Sequence, residues 1–276
     1  QVAFVVVVDN RSRGRWSRRR AQAHHALAHV METQGRLDEG VEFLRAMSDS
    51  WADRSIFIRE HNWWHLALFH LDRDEVDEVL RIFDRQLWGT WPEFAQEQIG
   101  AVAALWRLEL RGVDVGQRWT PVARAVAARE AEHLLPLHDI HYAYALARAG
   151  NAGEAERFLG SLDARAERCK TSFGAVWREV AAPAARGVAA HAKGDYRAAA
   201  RLLNGVVPRL QEIGGSHAQR DLFVQTALDA ELRSDGKADA IATLDDRVKA
   251  RPQALGLQRL LGEWRRFAAS PVHAAD

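Results

Sequence analysis

Histidines recur along the chain at helical spacing, and this spacing allows a metal site. His25 and His29 stand at i and i+4, Glu32 follows one turn later, and His61 and His65 repeat the i, i+4 spacing. Because side chains four residues apart share one face of a helix, each pair can offer two imidazole nitrogens to one zinc-like ion. A carboxylate one turn further can act as a third ligand or can orient a ligand. The metal candidates are therefore His25, His29, Glu32, His61 and His65.

A structural role for the same histidines is the simpler interpretation. Buried imidazoles are often satisfied by backbone carbonyls or by neighbouring carboxylates. Pairs at i and i+4 also arise by chance in Ala-rich helices, and the chain contains no His-Glu-x-x-His string and no Cys/His array. We therefore expect no cofactor, and we keep a polar ligand pocket and a bound metal ion as alternatives.

Asp139 and His141 open a helix that begins after Pro136, and they could belong to a catalytic pocket. If the first helices of successive pairs line one surface, these side chains can meet the histidines described above. A histidine and carboxylate pocket suits acid–base chemistry near neutral pH. The catalytic candidates are His65 or His141 as acid or base, with Asp139 as the group that orients it.

The segment 214–221, Gly-Gly-Ser-His-Ala-Gln-Arg-Asp, predicts a capped helix start. Ser216 is a natural N-cap, and Gln219 three residues later completes a capping box. A helix N-terminus also suits an anion, which Arg220 could clamp, although Arg220 could equally pair with a buried acid. Trp64 lies in a helix that is apolar on all sides, which predicts core packing, with an aromatic ligand cage as the alternative. The ligand-binding candidates together are His25, His29, His61, Trp64, His65, Asp139, His141, His217, Arg220 and Asp221.

The composition is that of a globular protein. The chain has 276 residues, 38 Lys+Arg against 37 Asp+Glu, a formal net charge of +1 and 47% hydrophobic residues. This balance gives no pull toward nucleic acid or acidic membranes, and no apolar run approaches the roughly 20 residues that span a bilayer. A single Cys excludes an internal disulfide framework and favours a cytoplasmic location. We expect a protein or peptide partner or a small anionic ligand, with no nucleic acid and no membrane.

Apolar residues at three- and four-residue spacing predict an all-α fold from residue 21 onward. Glycines such as Gly150 mark helix ends, and Pro183 within 172–193 predicts a kink or two shorter helices. We expect an irregular Arg-rich segment at 1–20, truncated or artefactual, one helical-repeat domain at 21–270 and a tail at 271–276. The predicted helices run near 21–34, 38–47, 59–71, 75–88, 93–111, 121–134, 138–149, 152–167, 172–193, 196–212, 217–233, 237–249 and 253–268.

The helices form pairs with a shared pattern of small, turn and bulky residues. Examples of the pattern are Ala28-Gly35-Gly40-Leu44, Ala67-Asp74-Val79-Phe83, Ala143-Gly150-Ala155-Leu159, Gly187-Gly194-Ala199-Leu203 and Leu228-Asp235-Ala240-Leu244. Small residues let two antiparallel helices approach closely, and the turn residue reverses the chain. The pattern is similar to a degenerate tetratricopeptide repeat. It predicts a right-handed α-α superhelix of stacked antiparallel helix pairs, a tetratricopeptide-like solenoid.

Longer strings resemble one family. They are HALAHVMETQGR at 25–36, HNWWHLALFH at 61–70, LWRLEL at 105–110, GQRW at 116–119, DIH at 139–141 and GGSHAQRD at 214–221. In this order they look like the bacterial branch of the tetratricopeptide repeat protein 38 family, over roughly residues 21–270. The chain departs from the family near Gly100, where we expect an Asp. The resemblance implies a helical-repeat fold more firmly than a function.

Two functions follow from these observations. The first is a repeat protein that holds a partner segment or ligand in a concave groove, because stacked helix pairs give an extended curved surface. The second is a small-molecule-binding protein or an enzyme with a His/Asp/Arg pocket inside the solenoid, with or without a metal ion. We take the first as the main expectation and the second as its alternative, and we leave open whether the protein is an enzyme.

Overall fold

The structure is a computed structural model that describes residues 21–52, 54–129, 131–149, 152–171, 173–234 and 236–269. Over these residues the chain is helical and contains no strand, which confirms the predicted all-α class. None of the described helices is both long enough and apolar enough to cross a membrane. The predictions for segments 1–20 and 271–276, for the helix end at Gly150 and for the turn at Asp235 fall outside the described residues.

The α-helices are short and follow each other closely. They are α1 Ala21–Thr33, α2 Leu37–Met47, α3 Ile56–Asp72, α4 Val76–Ile82, α5 Ala95–Leu110, α6 Trp119–Ala127, α7 Pro136–Arg148, α8 Ala152–Arg168, α9 Phe173–Val176, α10 Ala182–Ala192, α11 Tyr196–Val206, α12 His217–Leu232, α13 Lys237–Ala250 and α14 Leu255–Ala269. Short 3-10 turns cover Ser48–Trp51, Gly116–Arg118 and Val207–Ile213, and π-turns cover Phe83–Leu87 and Trp177–Ala181.

Two of the predicted helical segments are interrupted or shortened for local reasons. The interruption predicted within 172–193 is confirmed: the π-turn Trp177–Ala181 lies directly before Pro183, which lacks an N–H and cannot continue a regular ladder. The prediction of one helix over 121–134 is wrong, because α6 ends at Ala127. The chain then turns, and His133 adopts a φ of 41° that no helix accommodates.

Glycines lie at two of the contacts where the repeat pattern predicts small residues. A Cβ on Gly40 of α2 would lie 2.4 Å from Cε1 of Phe69 in α3. A Cβ on Gly187 of α10 would lie 2.8 Å from Cγ of Leu203 in α11. Because real Cβ atoms do not approach other atoms so closely, these two helix contacts require glycine.

Helix α5 lies in the interior and contacts helices from both halves of the chain. Most of its residues are buried, and it packs against α3, α6, α7 and α12. From its last turn, Arg107 donates a hydrogen bond of 2.6 Å to the carbonyl oxygen of Ala218 in α12. The Arg259 side chain of α14 is also bonded to Asp74, which follows α3. Helix α3 also packs against α1, so α1, α3, α5, α7 and α12 lie close together.

Candidate metal centre

The two predicted histidine pairs meet in one cluster between α1 and α3. One ring nitrogen from each of His25, His29, His61 and His65 lies within 4.8 Å of the other three. Zinc–nitrogen bonds of about 2.0–2.1 Å place tetrahedral ligand nitrogens roughly 3.3 Å apart. The cluster is therefore compact enough to hold one transition-metal ion after small side-chain movements.

The ring orientations indicate which nitrogens face the centre. His25 and His29 approach each other through their Nε2 atoms, which are 2.9 Å apart. In His65 the other nitrogen, Nδ1, lies 3.5 Å from Glu32 Oε2. In His61, Nδ1 lies 3.3 Å from the Gln96 amide, whose nitrogen and oxygen positions are interchangeable in a hydrogen-bond network. In both buried rings Nδ1 thus lies near a polar neighbour, Glu32 or Gln96.

The protonation of the cluster suits metal binding. Burial lowers the pKa of His25 to about 4, helped by the charge of His29. Burial, together with the charges of the three other rings, lowers the pKa of His61 to about 2, and it places the pKa of His65 well below its usual value. Neutral imidazole carries the lone pair that a metal ion requires, so no proton has to leave at neutral pH. His25 and His29 are only half-buried, which leaves the α1 side of the cluster accessible.

Aromatic side chains hold the His61 ring in place. Trp64 stacks against it at 5.3 Å between ring centroids, and Phe57 also stacks against it at 5.8 Å. The guanidinium of Arg107 lies 5.3 Å from the Trp64 ring centroid. Trp64 therefore contacts the cluster as an apolar wall, and it orients a proposed ligand without offering a ligand atom of its own.

Glu32 lies behind His65. Its Oε2 atom is buried and has no hydrogen-bonding partner among the described residues, while the distance of 3.5 Å to His65 Nδ1 is slightly too long for a hydrogen bond. Burial raises the pKa of Glu32, which the charges of Arg251 and His29 oppose. A carboxylate in this position fits the outer shell of a metal site, where it fixes the orientation of a histidine ligand.

Replacing Glu32 with Gln is expected to weaken metal binding by about tenfold, because loss of an outer-shell carboxylate typically reduces affinity 10–100-fold. Isothermal titration calorimetry of the chelator-treated protein with Zn²⁺ measures this change. Glu42→Gln is the matched control, since Glu42 is exposed on the neighbouring helix α2. Equal zinc affinities for Glu32→Gln and the unmodified protein would contradict the outer-shell role.

Asp139 does not orient His141 as the sequence predicts. The Asp139 carboxylate is paired with Nδ1 of His133 at 3.1 Å, and Nε2 of His133 lies 2.8 Å from Ser161 Oγ. His141 instead donates through Nδ1 to the carbonyl oxygen of Leu137 at 2.7 Å. Side chains two residues apart point to different sides of a helix, so the two groups cannot act together. Sequence analysis missed His133 because a tight turn, and no regular spacing, brings it to Asp139.

The predicted capping box at the start of α12 is present, but the polar residues beside it do not join the cluster. The Ser216 hydroxyl oxygen accepts a hydrogen bond from the backbone N–H of Gln219, and the Gln219 side-chain oxygen accepts one from the backbone N–H of Ser216. Among the described residues the Arg220 guanidinium pairs with no acid, and its Nη1 donates to the carbonyl oxygens of Gly214 and Gly215. His217, the first residue of the helix, is exposed.

Asp221 also has another role. Burial would raise its pKa, but the Arg247 guanidinium at 2.8 Å lowers the pKa of Asp221 to about 2. Gln225 donates a further hydrogen bond of 2.7 Å to the same carboxylate. Asp221 thus belongs to a charged pair between α12 and α13, and the His cluster does not need it.

A buried acid that sequence analysis missed lies next to His61. Glu60 is fully buried, and neither carboxyl oxygen has a hydrogen-bonding partner of normal geometry among the described residues. Burial raises the pKa of Glu60 well above its usual value, with the nearby Gln96 amide opposing the rise. The carboxyl group lies against Gly100 of α5, where a Cβ would be 1.8 Å from Glu60 Oε1. The sequence signal that could have identified Glu60 is a charged residue within the largely apolar helix α3.

Comparison with known proteins gives no family for this chain. No family model matches it, and no solved structure matches it significantly.

Proposed function

We propose that the protein binds one divalent transition-metal ion through His25, His29, His61 and His65 and uses this ion on a small-molecule ligand. The observation that carries the proposal is the convergence of four ring nitrogens from α1 and α3 within 4.8 Å. Polar neighbours of the two buried rings also support it: Glu32 lies beside His65, and Gln96 lies beside His61. This is the second of the two functions that the sequence suggests.

The ligand set limits the chemistry of the ion. Imidazole nitrogens suit zinc, iron, copper and nickel, whereas calcium and magnesium prefer oxygen. The two half-buried histidines of α1 leave a side from which water or substrate can reach the ion. With four imidazoles bound, water or substrate has to enter as a fifth ligand or replace a half-buried histidine, and the ion can then polarise a carbonyl or lower the pKa of the water. We therefore favour a Lewis-acid role over a purely structural one.

The repeat architecture is part of the same proposal. We infer a right-handed tetratricopeptide-like superhelix from the helix pairs and from the glycine contacts at Gly40 and Gly187. Membership of the tetratricopeptide repeat protein 38 family and a cytoplasmic location are further parts of the proposal, and only the sequence supports them. Binding of a partner segment in a concave groove is the second candidate function, and the same glycine contacts favour it because closely paired helices build such grooves.

Metal content tests the proposal directly. Untagged protein purified without chelators is expected to carry about one equivalent of metal per chain by inductively coupled plasma mass spectrometry. Chelator-treated protein should take up about one equivalent of Co²⁺ and develop visible absorption. The double variant His138→Gln/His217→Gln is the control, since it removes two histidines outside the cluster and should leave both values unchanged. Protein that neither carries metal nor binds added Co²⁺ or Zn²⁺ would contradict the metal site and leave the groove function.

A further inference from the structure

A small cavity lies beside the histidine cluster, enclosed by α3, α5, α7 and α12. Its polar lining consists of His61, Gln96, His141 and Gln219, and its apolar lining includes Trp64 and Gly100. His61 belongs both to this wall and to the cluster. A molecule in the cavity therefore lies against a ring that binds the proposed ion.

His141 presents an unused hydrogen-bond acceptor to this cavity. The carbonyl oxygen of Leu137 accepts from Nδ1, which places the proton of the neutral ring on that atom. Nε2 then carries a lone pair, and the described residues offer it no donor. His141 is only 1% exposed. Since a buried acceptor without a donor is unfavourable, the cavity suits a hydrogen-bond donor, and its volume of about 10 Å³ has room for one water-sized group.

The remaining groups at the cavity favour a neutral molecule. Among the described residues, none of those that line it is Asp, Glu, Lys or Arg. The nearest cation, Arg107, already donates to the carbonyl oxygens of Ala103 and Ala218. Gln219 uses its side-chain oxygen in the capping box. An anion would find no free cationic donor here, whereas a neutral N–H or O–H group finds the acceptor of His141.

We propose that this cavity is a subsite for the neutral end of a ligand, whose terminal N–H or O–H group takes the place of a water and donates to His141 Nε2. The proposal rests on the proposed function, because the neighbouring ion at His61 gives the subsite its reactive partner. His141 acts as a binding residue: it selects donors and rejects molecules of similar size that can only accept.

Two linear probes of three heavy atoms separate these properties. Cyanamide is neutral and carries two N–H donors, whereas azide is an anion without a donor. Added to the Co²⁺-loaded protein, cyanamide is expected to change the visible spectrum, because it lies against the His61 ring. His141→Phe keeps the ring shape and removes the acceptor. It should weaken cyanamide binding by about tenfold, the usual effect of one lost hydrogen bond, and leave azide binding unchanged.

Controls keep the outcomes distinct. His138→Phe changes the same residue type on the same helix outside the cavity wall, and it should leave cyanamide binding unchanged. If His141→Phe does not fold, Ala103→Val narrows the cavity and should weaken cyanamide. Two results would overturn the subsite: cyanamide leaves the spectrum of the Co²⁺-loaded protein unchanged, or the His141→Phe variant binds cyanamide as well as the unmodified protein does. Absence of any Co²⁺ spectrum would instead contradict the proposed function.

Discussion

Replacing His65 with Phe is expected to stabilise the metal-free protein and to abolish tight metal binding, two effects of opposite sign. His65 is fully buried, and neither ring nitrogen has a hydrogen-bonding partner among the described residues. Phe carries no unsatisfied polar atom but is one ring atom larger, so relief of the two unpaired nitrogens should outweigh the tighter packing and raise the free energy of unfolding by about 1 kcal/mol without metal. Since outer-shell changes alone weaken metal binding about 10–100-fold, loss of this ligand should weaken it by at least about 100-fold.

The measurement is urea unfolding in the presence of EDTA and then of Zn²⁺, followed by circular dichroism. Zinc should stabilise the unmodified protein, because an ion that binds only the folded state shifts the equilibrium toward it, and it should not stabilise His65→Phe. His70→Phe is the matched control on the same helix. His70 is also buried, but it is bonded to Glu75 and lies 3.2 Å from Arg45 Nη2, so its loss should destabilise the protein.

The two variants therefore separate a metal ligand from a structural histidine. If His65→Phe lowers the stability of the metal-free protein as His70→Phe does, and zinc stabilises both variants equally, His65 is a packing residue. The metal site then loses its most buried ligand, and the proposal fails with it.

Spacing along each helix predicted the two histidine pairs of the candidate site, but it could not predict that the pairs meet. The pairs His25/His29 and His61/His65 each share a helix face, which follows from the 3.6-residue period alone. That the two faces meet depends on the rotation and crossing of α1 against α3, which side-chain packing over the whole interface determines. The contact of Gln96 on α5 with His61 depends on the same long-range packing, so no local sequence pattern indicates it.

Predictions failed where backbone geometry offered a nearer partner than the expected one. Gly214 and Gly215 both adopt positive φ angles of 85° and 76°, and their carbonyl oxygens accept from the Arg220 guanidinium. The buried acid that the sequence suggests as a partner of Arg220 is replaced by these carbonyl oxygens, because the sequence does not show where they point. The anion clamp stays a prediction. In the same way, the left-handed turn at His133 brings an unexpected imidazole to Asp139. The all-α class was robust, since it depends on periodicity over many residues.

Gly100→Ala should destabilise the protein by about 1–3 kcal/mol, the usual effect of overpacking a filled interior. Its Cβ would lie 1.8 Å from Glu60 Oε1, and the fully buried Glu60 side chain has no solvent to move into. Gly205→Ala is the matched control: this helical glycine is exposed and has no atom near its Cβ position. There, the higher helix propensity of Ala should stabilise the protein by up to about 1 kcal/mol.

A double-mutant cycle identifies Glu60 as the cause. In the Glu60→Ala background the clashing carboxyl group is gone, so Gly100→Ala should become neutral or stabilising. The coupling free energy between the two sites should then exceed about 1 kcal/mol, whereas independent sites add within about 0.5 kcal/mol. Simple additivity would show that Gly100 is required for another reason. Strong coupling would establish that α5 carries glycine at this position so that a buried acid can lie between α3 and α5, one residue from the proposed ligand His61.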